Sequence, residues 1–241
     1  MEIDPTNLES ETLLDMVKPT GKNILEVGCG DGRASFYMAK DASNYLAIDS
    51  DKDAILRAHK KFSTNQLPNL KFETLDATNT GLAENSFDIV FMLCAFHEIE
   101  TNKQEQALLE AHRVLKRGGK LIIADPLEPP SQMQLLCNIV CEDFLHFDHS
   151  VSVKHSKSIL AKAVSDRKFD ELEHKICSIN NMFENFGELC SSIESVFPEI
   201  DWDVTQRDQI KKEFRKSLGV KNDDQKMILS DELDITLLTK C

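Results

Sequence analysis

Long apolar runs are missing from this chain of 241 residues: they stop at about eight residues, far short of the roughly 18 needed to cross a bilayer. Positive charge is also in short supply. Lys and Arg number 28 against 41 Asp and Glu, a formal charge of −13, which argues against affinity for phosphate backbones, because that affinity rests on basic side chains displacing counterions. The strongest cationic stretch, KKEFRK at 211–216, has helical spacing among acids and reads as a solvated helix face. Paired cysteine spacing is absent too. The seven cysteines, at 29, 94, 137, 141, 177, 190 and 241, are odd in number, show no CxxC motif and follow no secretory leader pattern, so reduced thiols in a cytoplasmic protein are expected. No internal repeat or low-complexity tract appears.

What is present in the first half is alternation. Short β-branched runs at 23–27, 45–49, 70–74, 87–93 and 120–125 are separated by helical periods at 34–40, 53–62 and 103–115. Several of the runs are apolar on both faces, as strands buried between two helix layers are. The pattern predicts a doubly wound α/β fold with a mostly parallel sheet. Asp53 is a plausible first-turn acid. Before the first strand, 8–17 reads as a helix with Ser10 or Thr12 available as caps. After Pro126 the character changes. Pro129 and Pro130 break the chain, and helical periods follow at 132–144, 156–164, 168–179, 186–196 and 205–218 with almost no strand signal. A last strand is expected at 232–240, as an antiparallel edge. The organisation expected is therefore a cap at 1–20, a core at 21–126, a helical insertion or lid at 127–225, and closing strand at 226–241.

Glycine numbers only nine, yet three fall within Gly28-Cys29-Gly30-Asp31-Gly32, where the first strand ends. A strand running through such a bend into a helix lets a ligand approach the backbone closely, with N–H groups on offer at the helix start. A dinucleotide fingerprint would place its third glycine at position 33, which is Arg33. Glu26 and Asp31 would also repel a pyrophosphate. A nicotinamide oxidoreductase is thereby disfavoured, and the two carboxylates suit a cation.

The segments LEVGCGDG (25–32), LAIDSD (46–51), LDAT (75–78), FDIVFMLCAFHEI (87–99) and RVLKRGGKLIIADP (113–126) stand in an order that resembles the class I S-adenosylmethionine-dependent methyltransferases. The resemblance covers about 21–126 and implies a seven-stranded, Rossmann-like sheet. It further implies that Glu26, Gly28, Cys29, Gly30, Asp31, Asp49, Ser50, Asp76, Ala77, Leu93 and Cys94 surround the cofactor S-adenosyl-L-methionine, which leaves as S-adenosyl-L-homocysteine. Asp49 would accept from the ribose hydroxyls; an acid capping the next helix is the plainer alternative, better suited to Asp51 or Asp53. Asp76 would accept from the adenine amino group, or else bond its own turn. Glu26 would meet the methionine ammonium, or satisfy nearby backbone and basic groups. Cys29 fits as a small side chain in the bend, and Cys94 as a packing or cofactor neighbour, with no positive partner evident to activate it.

Methyl transfer requires alignment and exclusion of water, with a general base only where the acceptor must lose a proton. His97 and Asp125, at the ends of the fourth and fifth strands, are the candidates; the alternative is that His97 or Glu98 caps the following segment or orders the loop, and Asp125 has a similarly divided reading. No metal site is expected. Cys137 and Cys141, four apart on one helix face, with His146 and His149 following, raise an arsenite or metal reading, although their spacing matches no structural zinc pattern and core packing is the plainer account. Phe144, Phe147, Phe183, Phe186 and Phe197 read as helix-bundle core rather than an aromatic cage. A small-molecule acceptor is expected, with neither nucleic acid nor membrane as partner, in a monomer or homodimer. No NPPY-type segment follows the fourth strand, which weakens exocyclic or amide nitrogen methylation. A methyltransferase acting on protein, and a silent S-adenosylmethionine-binding protein working through its helical region, stay open.

Overall fold

The computed structural model describes residues 8–62, 67–128, 130–145, 149–197 and 200–241. The elements are α1 (Leu8–Val17), β1 (Asn23–Val27), α2 (Arg33–Met38), β2 (Asn44–Asp49), α3 (Lys52–Lys61), β3 (Leu70–Thr74), β4 (Phe87–Leu93), α4 (Thr101–Val114) and β5 (Leu115–Pro126). There follow α5 (Gln132–Val140), a π-helical turn (Cys141–Leu145), α6 (His149–Ser165), β6 (Phe169–Phe183), α7 (Phe186–Val196), α8 (Val204–Leu218) and β7 (Met227–Lys240). The seven strands form one sheet in the order β3-β2-β1-β4-β5-β7-β6. The pairs among β1 to β5 are parallel, and β7 runs antiparallel between β5 and β6.

Period-two alternation explains why the central strands are apolar throughout. Ile24, Phe91 and Ile122 point to one face, against Leu13 and Met16 of α1, Met38 of α2 and Ile55 of α3. Leu25, Val90 and Ile123 point to the other, against Leu108 and Ala111 of α4 and Leu160 of α6. A third cluster joins Leu136 of α5, Leu189 and Ile193 of α7, and Ile210 and Phe214 of α8 to Phe183 and Leu229 at the far ends of β6 and β7. Several helix starts are capped by side chains. Asp51 caps α3 by accepting from the Asp53 N–H, Asn185 caps α7, and Asp203 with Gln206 closes a capping box on α8, which ends at the left-handed Gly219.

Several expectations are corrected here. The segment 168–179 is not a helix: from Phe169 on it lies within β6, a strand of 15 residues at the sheet edge, so the region after residue 126 is not wholly helical. Its alternation is legible once the partner is known, with Cys177, Asn181 and Phe183 buried and Ile176, Ser178 and Met182 exposed. Charges at Asp170, Glu171, Glu173 and Lys175 disguised it. An edge strand tolerates such charges, and its pairing with β7 cannot be seen locally. Nor is β7 the edge: it begins at Met227 and sits between two neighbours. Ser10 and Thr12 do not cap α1, which already runs from Leu8. The 132–144 helix ends at Val140 and widens into the π turn, so Cys137 and Cys141 do not share a regular α-helix. Phe183, Phe186 and Phe197 join the third cluster. His146 and Phe147 lie outside the described residues, as do the side chains of Phe144 and His149. Among the described residues no helix is long and apolar enough to cross a membrane.

Candidate functional site

The bend after β1 works because its three glycines all have φ between 54° and 80°, the left-handed region that side chains disfavour. At Gly28 a Cβ would overlap the Cβ of Ala95, so the bend and the turn following β4 are in direct contact. At Gly32 a Cβ would come within 2.7 Å of the Phe72 ring. Within the bend itself three amides are committed to the protein. The Gly28 and Cys29 amides donate to the Ile48 carbonyl at 2.8 and 3.0 Å, and the Gly30 amide donates to Asp49 Oδ2 at 2.8 Å. The bend offers close approach and a fixed carboxylate instead.

Beside it opens a cleft of ≈ 480 Å³ at the carboxyl ends of the parallel strands, where an open α/β sheet places its ligands. Gly28, Gly30, Asp49, Ser50, Asp76, Ala77 and Cys94 line it together. The remaining expected residues do not. Glu26 lies beneath the bend, 2% exposed, accepting from Ser35 Oγ at 2.5 Å and Tyr45 Oη at 3.1 Å. Burial pushes its pKa up to about 7, against the two hydroxyl donors and Arg33, which pull it down. The Cys29 thiol is buried and pushed up by that burial and by Glu26 and Asp49. Asp31 faces Lys61 Nζ at 2.7 Å. Leu93 is buried within the sheet.

Asp49 accepts from the Gly30 amide on one oxygen and from the Asp51 amide, at 2.9 Å, on the other. Asp76 Oδ1 accepts from the Thr78 amide and hydroxyl at 2.7 and 2.8 Å, which holds its carboxyl below the usual range. It is thus both a turn aspartate and a cleft residue. Cys94 has φ 48°, a strained conformation for a side-chain-bearing residue, and turns the chain into the cleft wall. The wall also uses Glu98, Ile99, Glu100 and Lys103, none of which the sequence alone assigns to the cleft; Glu98 reads there only as an alternative cap or loop-ordering residue.

His97 itself does not line the cleft. It is 2% exposed, with Nδ1 at 2.8 Å from Asp125 Oδ1 and Nε2 at 2.9 Å from Glu98 Oε1. Burial pulls its pKa down, but the Asp125 charge and hydrogen bonds to both carboxylates outweigh it and raise the value to about 9. At neutral pH it is an imidazolium with both protons committed. Its backbone carbonyl accepts from Ser152 Oγ of α6, which in turn accepts from Gln104 Nε2 at 3.0 Å. Asp125 Oδ2 is buried without a hydrogen-bond partner. The Cys137 thiol is pushed up by burial and then by Asp231, Cys141 and Glu98. Among the described residues no group of His, Cys, Asp and Glu is arranged to hold a metal ion.

Residues 25–123 match the family described as a methyltransferase domain. A stretch of 119 residues is 34% identical to the phthiotriol/phenolphthiotriol dimycocerosates methyltransferase of Mycobacterium leprae (strain TN), covering 48% of this chain and 42% of that one. The chain spans less than half the length of the first curated relatives it matches. Among solved structures, a methyltransferase candidate from Bacillus halodurans C-125 superposes with a TM-score of 0.66 at 19% identity, over 98% of this chain and 99% of that one. Phosphoethanolamine N-methyltransferase 2 of Haemonchus contortus, solved with S-adenosyl-L-methionine, gives 0.56 at 16% identity, over 96% of this chain and 52% of that one. The sheet order, the glycine bend and the matched segment agree: residues 25–123 are similar to a methyltransferase domain, and the chain has the fold of these solved structures.

Proposed function

We propose that this chain transfers a methyl group from S-adenosyl-L-methionine to a small molecule. The observation that carries the reading is the convergence of the glycine bend, Asp49 and Asp76 on one cleft whose ≈ 480 Å³ falls in the range of small-ligand sites. The residues present suit the cofactor. Asp49 and Asp76 supply acceptors for sugar hydroxyls and an amino group, while Gly28 and Gly30 allow the amino-acid end to lie against the backbone. Glu26, beneath the bend, favours the ammonium. The bound cofactor supplies an activated methyl group on a sulfonium.

The chain's own part is positioning. Asp49 fixes the bend through Gly30, and Asp76 is fixed by Thr78 before any ligand arrives. Neither His97 nor Asp125 suits a general base here: the imidazolium has no lone pair to take a proton below about pH 9, and the Asp125 carboxylate is engaged in keeping it charged. The pair braces the turn that carries Glu98. The net charge of −13 supports a small acceptor over a nucleic acid. Arsenite chemistry is disfavoured, since it needs thiolates and burial keeps the Cys137 thiol protonated. The region 127–225, with its own apolar cluster, serves in this reading as the acceptor-side cover.

Calorimetry with S-adenosyl-L-methionine, S-adenosyl-L-homocysteine and NADH, followed by labelled methyl transfer to a panel of small hydroxyl, amine and carbon acids, tests the proposal. Binding of the first two in the micromolar range, weakened by about 30-fold in Asp49→Asn, is expected; that factor corresponds to about 2 kcal/mol for charged hydrogen bonds. Indifference to both at millimolar concentration would sink the donor assignment. Binding without any labelled product across the panel would favour the silent, cofactor-binding alternative.

A further inference from the structure

We infer that Glu98, held in place by His97, is the residue that makes the cleft prefer the charged methyl donor to its neutral product. The inference rests on the donor reading above and adds to it a discriminating group. Methyl transfer forms a bond from the acceptor's lone pair to the methyl carbon while the electrons of the carbon–sulfur bond return to sulfur. The sulfonium thereby becomes a neutral thioether. A carboxylate near that sulfur stabilises the donor and loses its attraction once the methyl has gone, so it assists exchange of product for fresh donor.

Three observations place Glu98 at that end of the cleft. It lines the cleft directly, with its side chain 54% exposed. Its turn, through Ala95, abuts Gly28, so it stands on the side of the glycine bend, where the amino-acid end of the donor lies in this reading; Asp49 and Asp76 serve the sugar and base. Its charge also reaches Cys137 of α5, on the side away from β2 and β3. The carboxylate is not left to swing: His97 Nε2 holds Oε1 at 2.9 Å, and His97 is held by Asp125 and, through its carbonyl, by Ser152. The other charges on this wall, Glu100 and Lys103, pair with one another at 2.6 Å. Glu98 is therefore a specificity-determining residue, and His97 a positioning residue acting through it.

The test is calorimetry on the full chain with S-adenosyl-L-methionine and S-adenosyl-L-homocysteine in parallel. Glu98→Gln is expected to weaken the sulfonium ligand about fivefold while leaving the thioether within about twofold, as befits a partly solvated charge pair. Glu98→Lys should deepen the loss for the sulfonium alone, and Glu98→Asp should restore part of it. His97→Gln keeps an amide donor beside Glu98 but removes the positive charge, so it should raise the preference for the sulfonium by a smaller factor. In the unaltered chain the preference should shrink as salt is raised. Equal weakening of both ligands in Glu98→Gln, or no change in either, overturns the inference while leaving the donor reading intact. Failure of both ligands to bind the unaltered chain overturns the donor reading, and this inference with it.

Discussion

The stretch from β1 to β5 and the stretch from α5 to β7 share one sheet but are held together differently. In the first, single crossovers join β1 to β2, β2 to β3 and β4 to β5, with β1 and β4 as the one distant pair, and the site residues sit where strands end: Gly28 after β1, Asp49 closing β2, Asp76 after β3 and Cys94 after β4. In the second, the extended pieces pair over long separations, β6 with β7 and β7 with β5, and the helices between them build a core of their own. The first region's chemistry is local and turn-based, so a few residue types are obligatory. In the second, packing dominates, and many sequences satisfy packing.

The largest expected effect asks whether the second region is separable. Phe214 of α8 is fully buried at the centre of the third cluster, and Phe214→Ala should cost about 4 kcal/mol. If the sheet binds the regions into one cooperative unit, chemical denaturation followed by Trp202 fluorescence and by far-ultraviolet circular dichroism will give a single, shifted transition. Two transitions, with the cofactor still bound after the first, would show that the helical cluster melts alone.

Gly28→Ala probes the opposite region. The left-handed φ of 75° and the overlap with the Ala95 Cβ together should cost about 3 kcal/mol. Pairing it with Ala95→Gly should recover the overlap part and leave the φ part. A double-mutant cycle with no coupling would mean that the bend and the β4 turn are not in contact, which would also remove a support for the placement of Glu98.

The same contrast governs what could be read from the sequence. Strands β1, β3 and β4 fall where their apolar runs place them, and Asp49, Asp76 and the glycines were recognisable because few residue types can end a strand at a close-approach bend. His97 was visible as a residue and misleading as a chemical group: its neighbours Asp125, 28 positions away, and Glu98 decide that it is charged, and no local pattern states that. Glu98 beside it was legible as a loop residue but not as part of the cleft wall. β6 was missed because its charged, exposed edge carries a helix-like spacing, and only β7, about 60 residues on, explains why it is extended.

Two carboxylates whose pKa values burial raises, Glu26 in the first region and the half-buried Asp231 in the second, sharpen the comparison. Glu26 beneath the bend and Asp231 at the outer end of β7 are both raised by burial, Asp231 despite accepting from Ser131 Oγ at 3.1 Å. For Glu26 the folded chain keeps the proton up to about pH 7, whereas the unfolded chain releases it near the ordinary carboxyl value of 4.5. Between those values the folded state binds more protons, so folding is favoured below pH 4.5 and that contribution is lost as pH rises through 7. A shift of this size corresponds to about 3 kcal/mol. Glu26→Gln should flatten this slope and stabilise the free protein at pH 8 by about 2 kcal/mol, the remainder going to imperfect pairing of the amide with Ser35 and Tyr45. It should at the same time weaken binding of S-adenosyl-L-methionine, because the ammonium loses its carboxylate. Thermal unfolding from pH 4 to 8, with and without ligand, reads both effects in one experiment. A variant more stable alone and less stabilised by ligand would mark Glu26 as a group kept for binding at the expense of the fold; loss of stability in both states would make it a structural residue like the apolar side chains around it.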